Sequence, residues 1–129
     1  TKAVSEKFKR DNNLDYKPEQ IVVSNGAKQT VYNICQALLN KGDEVVVFSP
    51  YWVSYWEIIK LSEGTPVAVY GGVETDFKPT PEQLDQAITS KTKFVIFSSP
   101  CNPTGTVFTR DELHAYARVI AKHPNVFVV

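Results

Sequence analysis

The chain has no methionine and only two cysteines, Cys35 and Cys101. The two cysteines lie too far apart for a metal or redox spacing, so no metal site is expected. Reduced thiols in a cytoplasmic protein are the simpler reading. Charge of neither sign dominates: 14 Lys+Arg residues balance 14 Asp+Glu, for a formal net charge of zero. Without a basic stripe, no nucleic-acid partner is expected. No apolar run approaches the ~20 residues of a membrane span, and no signal peptide is visible. Internal repeats, low-complexity tracts and a domain linker are missing too. What remains is ordinary globular composition for about one domain, 43% apolar and 22% charged. The first residue, Thr1, falls in what reads as mid-helix, and residues 126–129 read as a buried strand. A fragment of a larger protein is therefore expected.

Apolar periodicity divides the chain into alternating helices and strands. Residues 1–13 carry Val4 and Phe8 at helical spacing among lysines, and Asn12-Asn13 and then Pro18 end that helix. Ile21-Val22-Val23 is a short apolar strand. Ser24-Asn25-Gly26-Ala27-Lys28 turns into a second helix, with Val31, Ile34, Cys35 and Leu38 on one face and Lys41-Gly42-Asp43 as its close. A second strand covers 44–48. A third helix covers 51–63, with Trp52, Tyr55, Trp56 and Ile59 on one stripe, and Gly64 stops it. A third strand at 67–70 leads into a loop over 71–79. Thr80-Pro81-Glu82-Gln83 is a helix start, with Leu84, Ala87 and Ile88 facing inward. The fourth strand is 93–97. Thr109-Arg110-Asp111-Glu112 is a capping box that opens a helix with Leu113, Tyr116, Ala117 and Ile120 as its stripe. After His123-Pro124-Asn125 a fifth strand begins. This alternation predicts an α/β fold: a three-layer, mostly parallel sheet flanked by helices, with right-handed crossovers.

Three strand exits carry the residues that could do chemistry, and in a parallel sheet all three lie on one edge, where α/β folds bind ligands. At Ser24-Asn25-Gly26-Ala27-Lys28, a Gly-Ala pair before a helix lets backbone N–H groups approach a phosphate, and Lys28 adds charge. The stretch is neither G-x-x-x-x-G-K-[ST] nor G-x-G-x-x-G, and a plain capped helix is the other reading. At Ser49-Pro50-Tyr51-Trp52, the indole either enters the core, as a lone Trp more often does, or offers its face to a planar ring. The third exit follows the apolar run at 94–97: Ser98-Ser99-Pro100-Cys101-Asn102-Pro103-Thr104-Gly105, a loop stiffened by prolines. Its Asn102 can donate an amide hydrogen to a ligand oxygen, or can form an Asx turn that only shapes the loop.

Ser24-Asn25-Gly26-Ala27-Lys28-Gln29, Ser49-Pro50-Tyr51-Trp52-Val53-Ser54-Tyr55 and Asn102-Pro103-Thr104-Gly105 together resemble the large domain of class I aminotransferases. These are pyridoxal-phosphate (PLP) enzymes of fold type I, and the bacterial aspartate aminotransferase branch is the nearest likeness. The resemblance spans essentially the whole chain, in order. It implies that Gly26, Ala27 and Lys28 hold the cofactor phosphate. It further implies that Trp52 stacks on the pyridine ring and borders the substrate, and that Asn102 hydrogen-bonds the ring's phenolic oxygen near the substrate carboxylate. The implied activity is amino-group transfer from an amino acid, aspartate foremost, to a 2-oxo acid, in a cytoplasmic homodimer of amino-acid biosynthesis. The resemblance makes residues 1–129 part of the PLP-binding large domain. It places the ring-nitrogen Asp, the Schiff-base Lys and the small domain outside them, so no catalytic residue is assigned here. Three alternatives stay open: another fold type I reaction of the C–S lyase kind, a PLP-binding regulatory domain, and a PLP-free α/β nucleotide-binding module. Cis peptides are expected at Ser49-Pro50 and Asn102-Pro103. The resemblance also implies that the strand at 21–24 pairs with none of the other four strands in this chain.

Overall fold

A computed structural model describes all of residues 1–129. The chain forms two compact units, Thr1–Thr30 and Val31–Val129. No helix is long and apolar enough to cross a membrane.

The first unit holds α1 (Lys2–Asn12), a 3₁₀ turn (Pro18–Gln20) and the first turn of α2 (Ala27–Leu38). Asn13 takes a left-handed conformation after α1 (φ 54°), and its N–H closes on the Lys9 carbonyl. That is how an asparagine ends a helix, since its short polar side chain tolerates this region. Phe8 meets Tyr16 edge-on, with ring centroids 6.3 Å apart. The strand expected at Ile21-Val22-Val23 does not form, and these residues belong to no sheet. Val22 and Val23 are exposed. A short apolar run becomes a strand only where a neighbour pairs with its N–H and C=O groups, and no strand of this chain does so.

The second unit is built on four parallel strands: β1 (Glu44–Ser49), β2 (Thr65–Tyr70), β3 (Thr92–Ile96) and β4 (Phe127–Val128), in the order β2-β1-β3-β4. The connecting helices are α3 (Ser54–Leu61), α4 (Pro81–Ala87) and α5 (Arg110–Ile120). In a strand, successive side chains face opposite ways, and β1 buries both sets. Val46 and Phe48 pack with Leu84 of α4 and with Tyr116 and Val119 of α5. Val45 and Val47 pack with Cys35 of α2 and with Ile58 and Ile59 of α3. This is the expected three-layer arrangement. Each fully buried valine or isoleucine contributes roughly 1.5–3 kcal/mol relative to exposure, which is why β1 tolerates no polar residue between Val45 and Phe48.

Three details depart from the sequence reading. The buried strand expected over 126–129 is the two-residue β4, and Phe127 and Val128 are both exposed because no strand pairs beyond it. Helix α3 begins at Ser54, so Trp52 precedes the helix and shares no stripe with Ile59. Leu113 and Ala117 do not face the core; α5 buries Tyr116 and Val119 instead. The two helix starts read from capping boxes both form. Thr80 Oγ1 accepts the Gln83 N–H at 3.2 Å, and Thr109 Oγ1 accepts the Glu112 N–H at 3.3 Å.

Candidate active site

The sheet topology puts the exits of β1 and β3 side by side. Both expected cis peptides are present, at Ser49-Pro50 and Asn102-Pro103, and a third occurs at Ser99-Pro100. After Pro50 the aromatic residues separate by role. Tyr51 packs against the core and stacks on Trp56, with centroids 5.7 Å apart and planes 5° apart. Trp52 joins neither apolar core and is half-buried. Its ring meets Tyr55 at 5.5 Å and nearly perpendicular, at 83°, a favourable aromatic geometry.

The β3 exit is a closed loop. The Cys101 N–H donates to the Thr106 carbonyl at 2.8 Å, and the Gly105 N–H to the Cys101 carbonyl at 2.7 Å. Gly105 has φ +76°, which only a residue without Cβ adopts freely. Ser99 Oγ accepts the Phe108 N–H at 3.1 Å. Asn102 is exposed; its backbone N–H points at Ser98 Oγ, 3.4 Å away, and its side-chain amide makes no hydrogen bond to the loop. The loop is thus shaped by prolines, Gly105 and main-chain bonds rather than by an Asx turn. Cys101 Sγ lies 3.4 Å from the Pro50 carbonyl, so the two exits touch. A cavity of ≈ 10 Å³, about one water, sits between them and is lined by Pro50, Tyr51, Phe77, Ser98, Cys101 and Phe108.

Gly26, Ala27 and Lys28 lie in the first unit, at the start of α2. Gly26 has φ +84°, and nothing lies within 4 Å of where a Cβ would stand. Its glycine therefore answers the backbone conformation and leaves open space beside the first turn. Asn25 takes part in the helix start through its N–H, which donates to Gln29 Oε1 at 2.5 Å. The first N–H groups of a helix have no intrahelical acceptor, and with the positive dipole end they suit a phosphate.

Comparison with known proteins shows the family. The family model "Aminotransferase class I and II" matches residues 1–129. The chain belongs to this family. It is 52% identical over 128 residues to an aspartate/prephenate aminotransferase of Cereibacter sphaeroides, covering 99% of this chain and 32% of that protein. It is 49% identical over 126 residues to an aspartate aminotransferase of Bacillus subtilis, covering 98% and 32%. Among solved structures, an aspartate aminotransferase from Rhizobium meliloti superposes with TM-score 0.94 at 39% identity, covering 98% of this chain and 32% of that one. The Thermus thermophilus enzyme with maleate gives 0.91 at 44%, covering 97% and 33%. The chain thus spans about a third of the length of the aminotransferases it matches.

The sequence points to Trp52 and Asn102 at the two strand exits but not to Phe77 and Cys101, which line the cavity between those exits. Phe77 and Cys101 carry no motif of their own. The one signal for Phe77 was its place in a turn-rich stretch after Gly71-Gly72, where an aromatic residue is out of keeping with a plain surface loop.

Proposed function

We propose that this chain is part of the PLP-binding large domain of an aminotransferase that moves an amino group from an amino acid, aspartate foremost, to a 2-oxo acid. The observation that carries the reading is local. In a chain about half identical to aspartate aminotransferases, two adjacent strand exits hold an indole outside both cores and an amide unspent on its own loop. The donor set fits the cofactor: main-chain N–H groups for a phosphate, an aromatic face for a pyridine ring, an amide N–H for a phenolic oxygen.

In this reading Gly26, Ala27 and Lys28 bind the phosphate, chiefly through backbone N–H groups. Trp52 covers the ring, keeps water from one face and borders the substrate. Asn102 donates to the ring oxygen and so biases where the cofactor holds its proton. PLP itself supplies an electron sink for charge developing at the substrate α-carbon. None of the lysines in these 129 residues is assigned the covalent bond to the cofactor. The full-length enzyme is read as a cytoplasmic homodimer that uses amino acids and 2-oxo acids.

The test is a PLP titration of the full-length protein, followed by its visible absorbance, and then addition of aspartate with a 2-oxo acid. A saturable new band and amino transfer are expected; absence of both overturns the proposal. Residues 1–129 alone are expected to give no turnover above a control of free PLP.

A further inference from the structure

The loop at 71–79 is built more tightly than a connection between β2 and α4 requires. Asp76 and Phe77 both take left-handed backbone conformations, φ 53° and 58°. For a bulky aromatic residue that is uncommon, and such residues persist where their surroundings fix them. The Phe77 N–H donates to the Gly72 carbonyl at 2.7 Å. Gly71 permits a close pass of the loop over itself, since a Cβ there would stand 2.4 Å from the Lys78 carbonyl carbon. Lys78 is then clamped. Its Nζ donates to both Glu112 oxygens, at 3.0 and 3.2 Å, lies 3.4 Å from Asp76 Oδ2, and sits 5.8 Å from the centroid of the Phe108 ring. The Tyr116 hydroxyl donates to the Pro79 carbonyl.

This clamp leads to the ligand-facing loops. Glu112 also accepts the Thr109 N–H at 2.6 Å, tying Lys78 to the point where the Asn102 loop enters α5. Phe77 itself lines the small cavity whose other walls include Pro50 and Tyr51, next to Trp52, and Ser98 and Cys101, next to Asn102.

We propose that Phe77 is a positioning residue: pinned by Lys78, it backs the two loops that carry Trp52 and Asn102 and so sets where the indole and the amide stand. The inference rests on the PLP reading for what those two groups contact. The packing it describes is testable without the cofactor.

The experiment uses the full-length protein with Phe77→Ala, Phe77→Leu and Lys78→Met. Removing the ring is expected to weaken PLP binding by about tenfold, the low end of the loss seen when the outer-shell partners of metal ligands are removed. The pH titration of the bound cofactor's absorbance should move in the same direction as in Asn102→Ala. Phe77→Leu, which restores most of the volume, should recover both, and Lys78→Met should show a weaker version of the alanine effect. Independently of the cofactor, alkylation of Cys101 should speed up in Phe77→Ala, because the wall of its cavity is gone. If Phe77→Ala does not fold, Lys78→Met and Phe77→Leu carry the comparison, and wild-type behaviour of Lys78→Met in every readout overturns the proposal. If the wild type binds PLP and Phe77→Ala loses thermal stability with affinity and pH titration unchanged, Phe77 is filler and the inference fails. If the wild type binds no PLP, the functional reading fails instead. In that case an unchanged Cys101 alkylation rate overturns the packing claim, and an accelerated one upholds it.

Discussion

Trp52 and Cys35 show how the same sequence logic meets two environments. Both are residues usually found inside. Cys35 is fully buried in the α2–α3 side of the core, and burial pushes its thiol up to about 11; Trp52 stays outside both cores. The indole's position was open in the sequence, because an isolated Trp after a strand looks the same whether it packs inward or faces a ligand. Truncating a core Trp or Phe to Ala costs roughly 3–5 kcal/mol. In the full-length enzyme, Trp52→Ala should lower stability by less than that while weakening PLP or substrate binding. Denaturant melts and PLP titrations of one variant measure both, and a core-sized loss of stability with unchanged affinity would return Trp52 to the core. Two glycines give a second contrast. Gly105→Ala meets open space and carries only the cost of φ +76°, about 1–2 kcal/mol. Gly71→Ala drives a methyl into the Lys78 backbone and should cost at least as much as overpacking a core, roughly 1–3 kcal/mol or more. Urea denaturation should rank Gly71→Ala as the more destabilising, and the opposite order would show that the 71–79 loop gives way easily.

At the scale of elements, legibility followed how local the signal is. The capping boxes at Thr80 and Thr109 need only four consecutive residues, and both are present in the structure. The run Val45-Val46-Val47-Phe48 announces a strand buried on both faces, and β1 is that strand. Ile21-Val22-Val23 has the same local composition and forms none, because strand identity is settled by a pairing partner that lies outside those three residues. Likewise the periodicity of α5 puts Leu113, Tyr116, Ala117 and Ile120 on one stripe, but only Tyr116 and Ile120 of these pack with the core, alongside Val119, while Leu113 and Ala117 are exposed. The α5 start also carries a pH dependence. Glu112 is held below the usual carboxylate range by the Thr109 N–H and then by Lys78, while Lys78 is held above its usual value chiefly by Glu112. A lowered carboxyl contributes stability that is present above its unfolded pKa, about 4.3, and lost as pH falls through the folded value. A raised lysine contributes stability present below about 10.4 and lost as pH rises through its folded value. Their contribution is therefore full across the neutral range and fades at both ends. Glu112→Gln should flatten the acid limb of the stability–pH curve and lower stability at pH 7, and an unchanged acid limb would remove Glu112 from the account. Thr109→Ala should cost about 1 kcal/mol through the lost cap.

At the scale of the molecule, the distribution of apolar surface decides how these 129 residues behave in water. β1 and β3 are sealed, but the β4 edge is not: Phe127 is 57% and Val128 54% exposed. Beside it a groove of ≈ 380 Å³ runs between α5 and the sheet, lined by Phe97, Leu113, Ala117, Ile120 and Val128. A parallel strand with bare N–H and C=O groups on one side, next to an open apolar trough, is a template for pairing with another chain. Of the α5 stripe that the periodicity marks, Leu113 and Ala117 open onto this trough, while Tyr116 is buried in the core and Ile120 packs against it. The chain matches proteins about three times its length. Burying the trough in such a protein would remove the liability without changing one residue of α5. We therefore expect residues 1–129, expressed alone, to associate with rising concentration at micromolar levels, and to bind a dye that reports exposed apolar surface. Light scattering behind size exclusion measures the first and fluorescence the second. Leu113→Lys with Val128→Lys, both at partly exposed positions, should reduce association and dye binding together while leaving the helix content from circular dichroism intact. A monodisperse wild-type monomer across that concentration range would mean that the trough and the β4 edge are harmless as they stand. Dye binding lost without a change in association would instead assign the self-contact to the exposed valines Val22 and Val23 of the other unit.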